Sequence, residues 1–118
     1  MGRGNVAMSP LEQHLKAYME HSHIGHENAI TSRELCEMYN VRDWPLRVAI
    51  RELIRQGVPI AAATGGPAGY FIVRTRAEAE RYAGTIRSRL IEDAIRRRDF
   101  RRAADQYLTP AVQLELLA

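Results

Sequence analysis

The 118-residue sequence predicts a mostly α-helical fold with one small β-hairpin and a long C-terminal helix. Three observations lead there. Two short amphipathic stretches, at 32–39 and 43–56, flank a tight turn at Asn40. Directly after them come two apolar, extended stretches separated by Gly65, Gly66, Pro67 and Gly69. From Arg76 onward, alanine, isoleucine and leucine recur at helical spacing among arginines, and Pro110 is the first proline met.

The elements follow in order. Residues 1–8 hold Gly2, Gly4 and Asn5 with little to bury and read as a frayed arm. Ser9 and Pro10 fit a helix cap followed by proline at the first helical position, where a missing N–H costs nothing. Leu11, Leu15, Tyr18 and Met19 then carry a first helix to about Glu20. The polar run HSHIGHEN at 21–28 predicts a loop, and Ala29-Ile30 a short strand.

Thr31 and Glu34 have the spacing of a reciprocal capping box, which starts a second helix from Ser32 to Tyr39. Its expected buried side is Leu35, Cys36 and either Met38 or Tyr39. Asn40 tolerates a left-handed backbone, and Val41 suits the corner between helices. Asp43 is the expected cap of a third helix, with Pro45 in its first turn and Leu46, Ala49, Ile50, Leu53 and Ile54 as its buried stripe. Gly57 supplies its exit. Strands are expected at 58–63 and 70–73. Thr75 then caps a fourth helix whose apolar stripe is Ala79, Ala83, Ile86, Leu90 and Ala94. A second stripe of Phe100, Ala103, Ala104, Tyr107 and Leu108 precedes Pro110. The resulting domains are an arm at 1–8, a compact domain at 9–74, a helical extension at 75–108 and a tail at 109–118.

Composition narrows the classes. An apolar share of 46% supports a core without covalent staples. Cys36 is the single cysteine, which excludes an internal disulfide framework and suits a reducing cytoplasm. No apolar run is long enough to span a bilayer, and MGRGNVAMSP lacks the apolar centre of a secretory signal. A cytoplasmic protein without a membrane partner is expected. The formal net charge is +3, yet Lys16 is the sole lysine among 17 basic residues. Arginine grips phosphate or guanine with two parallel hydrogen bonds, which suits nucleic acid. Arginine-rich codon usage accounts for the same composition, so both readings stand.

The stretches RELCEMYNV, LRVAIRELIRQGVPI and GGPAGYFIV resemble the winged helix-turn-helix domains of bacterial and phage DNA-binding proteins. The resemblance covers 31–73, about a third of the chain, and takes in neither the first nor the last helix. It implies that the third helix enters the major groove of duplex DNA, with Trp44, Arg47, Val48 and Arg51 facing it. Two features depart from the pattern. The hairpin from Val58 to Val73 carries no charged residue, and Trp44-Pro45 is unusual at a helix start that faces bases.

Arg47, Arg51 and Arg55 recur every four residues, opposite Ile50 and Leu53. They read either as contacts to bases and phosphates or as a solvated face with Arg55 paired to Glu52. Arg42 and Arg33 are further phosphate candidates. Trp44 either stacks on a sugar or a base or anchors a partner, or it folds back on the core across the helix start. His14, His21, His23 and His26 match no zinc spacing, and Cys36 reads as a core thiol. The glycines at 65, 66 and 69 lack the GK[ST] of a phosphate loop, and no catalytic set is placed by local spacing.

The expectation is a non-enzymatic protein with no cofactor, no metal and no small-molecule ligand. It is a bacterial or phage-type regulator, or a replication or packaging factor, that binds duplex DNA. The rival is an interaction module that binds protein instead. Between Arg74 and Arg102 stand ten arginines and five acids, a second DNA contact or a solvated helix. Its stripe at Ala79, Ala83, Ile86, Leu90 and Ala94 is expected to join two copies in a homodimer.

Overall fold

The structure, a computed structural model, describes residues 7–117, with side chains for 7–109. Most of the expected arm, at 1–6, lies outside the described residues, as do residue 118 and the side chains of the expected tail beyond 109. The chain is mostly helical, with helices α1 (Pro10–Ser22), α2 (Ser32–Tyr39), α3 (Asp43–Arg55) and α4 (Arg76–Leu117). Between α3 and α4, strands β1 (Ile60–Ala63) and β2 (Gly69–Ile72) form an antiparallel hairpin. Their register pairs Ile60 with Ile72 and Ala63 with Gly69.

The helix ends are set by the residues expected to set them. Glu12 N donates to Ser9 Oγ at 3.2 Å and Ser9 N to Glu12 Oε1 at 3.1 Å, closing a capping box on α1. Thr31 and Glu34 do the same for α2, where Glu34 N donates to Thr31 Oγ1 at 3.1 Å. The Thr31 hydroxyl is also the main reason the Glu34 carboxyl sits below its ordinary pKa. Asn40 ends α2 with φ 52° and ψ 49°. At the exit of α3, Gly57 N donates to Ile54 O and Val58 N to Leu53 O, with Gly57 at φ 103°. That is a Schellman ending, and Val58 and Leu53 are both buried beside it.

One expected cap is corrected. Asp43 is the first helical residue of α3, and Arg42 takes the cap position without a side-chain bond. The Asp43 carboxylate is instead engaged by Arg47 one turn on.

Two compact units divide the chain, Met1–Tyr82 and Ala83–Ala118, so the boundary falls within α4. The first unit holds the core, where Leu15, Leu35, Leu46 and Leu53 are fully buried beside Met19, Ile50, Val58, Ile60 and Ile72. Leu11, Tyr18, Cys36, Tyr39 and Val41 are partly buried against it. Of the either-or pair on α2, Tyr39 packs against the core and Met38 is 50% exposed, while Ile54, expected in the buried stripe of α3, is 42% exposed. Ile54 lies eight residues after Leu46, and at 100° per residue it has rotated off the buried face.

The expected loop at 21–28 and the expected short strand at Ala29-Ile30 are each tied to β2 by an isolated bridge. Ile30 bridges Tyr70 through Ile30 N to Tyr70 O at 2.9 Å and the reverse bond at 2.7 Å. Ile24 bridges Ile72, and a 3₁₀ turn at His26–Asn28 lies between the two. Backbones come so close here that a Cβ on Gly69, at φ +128°, would lie 2.3 Å from Ile30 O. The start of α4 is fastened to the same segment. Glu78 accepts from Arg74 N at 2.7 Å and His26 N at 3.0 Å, and those two bonds hold its carboxyl below the usual range.

The second unit is the helix from Ala83 onward, and it buries none of its described residues. Its backbone continues through Pro110 to Leu117, across the stretch expected as a tail. Alanine, glutamate and leucine there are strong helix formers.

Candidate nucleic-acid interface

The outward face of α3 follows from its inward one. Leu46, Ala49, Ile50 and Leu53 are buried, which turns Trp44, Arg47, Val48 and Arg51 to the opposite side. Trp44 is 67% exposed and Val48 46%, so the tryptophan does not fold back across the helix start. Arg55 lies on the same face one turn further, and Arg42 is exposed just before the helix. All six candidate residues are therefore brought together on or beside one helix.

Their ion pairs differ. Arg47 Nε lies 2.8 Å from Asp43 Oδ2 in an ion pair, with both side chains more than half exposed. Arg55 Nη1 donates to Glu52 Oε1 at 3.1 Å, and Glu52 also accepts from Gln56 Nε2. Arg42 and Arg51 make no ion pair among the described residues. Exposed pairs of this kind contribute about 0–1 kcal/mol, so an incoming phosphate can compete for either arginine. The Asp43–Arg47 pair was legible in the sequence, since an acid four residues ahead of a base is the favoured helical order.

Arg47 also lines an open groove of about 370 Å³ between the start of α2 and the hairpin. Ser32, Ala63, Thr64, Gly69 and Tyr70 form its other walls. Burial pushes the Tyr70 hydroxyl above its ordinary range, and the Arg47 cation pulls against that shift.

The hairpin tip, from Thr64 to Ala68, carries only small, uncharged side chains. It is held by His26, whose Nε2 lies 2.8 Å from Gly65 O and 3.0 Å from Pro67 O. Both partners are carbonyls, so Nε2 carries the proton and donates to them. The ring stacks on Phe71 with centroids 5.0 Å apart. His23 Nδ1 donates to Asn28 O at 2.6 Å by the same logic. Both histidines lie in the run that reads as a polar loop, and nothing local signals the His26 bonds across 39 and 41 residues.

On α4, Ala79 is partly buried and belongs to the first unit, whereas Ala83, Ile86, Leu90 and Ala94 are exposed. Among the described residues no three His, Cys, Asp or Glu side chains gather as a metal site, and no helix is long and apolar enough to cross a membrane. No protein-family profile matches the chain, and no curated protein or solved structure shows significant similarity to it.

Proposed function

We propose that this protein binds duplex DNA as a small winged helix-turn-helix factor of bacterial or phage type, with α3 in the major groove. The observation that carries the reading is the outward face of α3, where Arg47 and Arg51 flank the exposed Trp44 and Val48. Arginine suits guanine edges and phosphates, and a valine suits a thymine methyl group. Arg42 and Arg55 extend the basic surface to either end of that helix. The order of helix, turn, helix and hairpin supports the same reading, as does the bridge from Ile30 to β2. Gene regulation, replication and packaging are all consistent with such binding.

Two observations favour a protein partner instead. The segment from Val58 to Val73 is uncharged, and Asp43 already engages Arg47. Exposed tryptophans also carry much of the energy of protein interfaces.

A fluorescence titration with mixed-sequence duplex at low salt separates the two. DNA binding predicts an affinity that falls steeply as salt rises, because neutralised phosphates release counterions. Arg51→Ala should cost about 1–3 kcal/mol if the side chain reads a base edge. Binding that is absent at every salt concentration, or unchanged in the Arg47→Ala/Arg51→Ala variant, would remove α3 as the reader of DNA and favour the protein-partner reading.

A further inference from the structure

We infer that two copies of this chain pair through α4 as an antiparallel two-helix coil, centred between Asp93 and Arg97. The inference stands apart from DNA binding, and its test reads helix pairing alone.

Six apolar residues of the second unit fall on a seven-residue repeat. Ala83, Ile86, Leu90, Phe100, Ala104 and Tyr107 occupy alternating three- and four-residue steps, interrupted once by Asp93 and Arg97. Such a seam is what two supercoiled helices bury between them. In the single chain it is open, with Ile86 49% exposed, Leu90 68%, Phe100 70% and Tyr107 83%. Ile91, Ile95 and Leu108 are also exposed but lie outside this seam and take no part in it.

The two charged positions decide the orientation. A parallel, in-register pair would set Asp93 against Asp93 and Arg97 against Arg97, two like-charge layers inside an apolar seam. An antiparallel pair with Asp93 opposite Arg97 of the second copy turns both layers into opposite-charge contacts. Shifting that antiparallel register by one repeat in either direction would place each charge against an apolar residue. Like charges or unpaired charges at an interface centre are strongly disfavoured.

Side-chain size gives an independent reason for the same register. It sets Ala83 against Tyr107 and Ile86 against Ala104, a small residue facing a larger one in each layer. Leu90 faces Phe100 between them. Alternation of large and small side chains is how facing layers fill space evenly. In the lone helix Asp93 bonds Arg96 at 3.3 Å, with both side chains well exposed, so that pair yields readily. Arg87, Arg89, Arg96 and Arg101 border the seam, where water and salt screen them.

Cross-linking in a Cys36→Ala background tests the orientation on the full chain. At 1.5 Å per residue, antiparallel pairing separates the two copies of position 86 by about 27 Å. A short bis-maleimide should therefore leave Ile86→Cys alone and Ala104→Cys alone uncoupled, and should couple them when mixed. Coupling within either single variant would overturn the inference, and so would no coupling in the mixture. Asp93→Arg should weaken self-association at least about tenfold in sedimentation equilibrium. The charge swap Asp93→Arg/Arg97→Asp should restore it. A swap no better than the single variant would overturn the register.

Discussion

Up to Tyr82 the chain builds a shared core, whereas from Ala83 onward no described residue is buried. The difference lies in helix length. α1 and α3 have 13 residues each and α2 has eight, too short to hold together alone in water. They persist because Leu15, Leu35, Leu46 and Leu53 are removed from water together. α4 has 42 residues, and its backbone bonds propagate without a core beneath them. Two kinds of stability therefore sit on one chain, one set by tertiary burial and the other by local helix formation.

Core truncation sharpens that contrast most. Leu53→Ala should cost about 2–5 kcal/mol in urea denaturation, since it empties a fully packed site. Leu90→Ala, measured in dilute monomer, should stay within about 0.5 kcal/mol of the unaltered chain. Similar costs at the two positions would mean that α4 is buried in solution after all. A smaller effect, still confined to the first unit, is expected at Gly69. Its left-handed φ and the approach of Ile30 O leave no room for a methyl group, so Gly69→Ala should lose more than about 1 kcal/mol. Hydrogen exchange should show Tyr70 N–H, bonded to Ile30 O, losing its protection first. Retained protection there would show that the added methyl group is accommodated without parting the hairpin from the Ile30 segment.

The smallest effect is one of pH. Glu27, Glu34 and Glu78 are all held below the ordinary glutamate value. For a depressed carboxyl, the added stability is present above the unfolded pKa, about 4.3 for glutamate. It is lost as pH falls through the lower folded value. Thermal melts should therefore drop below about pH 4.3, and Glu78→Gln should flatten the drop while lowering the plateau. All three carboxylates serve the first unit, and α4 beyond Tyr82 should keep its helicity by circular dichroism over the same range. Parallel acid loss in both units would break the comparison.

Much of this was legible in the residues. The capping boxes at Ser9 and Thr31, the left-handed Asn40 and the glycine exit at 57 are local devices, and local chemistry determines them. The period of Leu46, Ile50 and Leu53 likewise orients α3, and with it the outward set of Trp44, Arg47 and Arg51. Other features were illegible for a stated reason. Asp43 has good capping chemistry, but the helix starts one residue earlier and leaves its carboxylate to Arg47.

The sequence by itself determined the order of the helices, the hairpin and the face each short helix buries, because periodicity and capping act within a few residues. Only the tertiary structure decided that Trp44 is exposed, that Tyr39 rather than Met38 packs on the core and that Ile54 leaves it. It alone placed Ile30 beside Tyr70, His26 over the hairpin tip and Glu78 across two backbone amides. Those contacts join residues up to 52 positions apart, and no local pattern encodes a partner at that distance. They form because the packed core brings the two segments within reach of one another, so that their polar groups can pair.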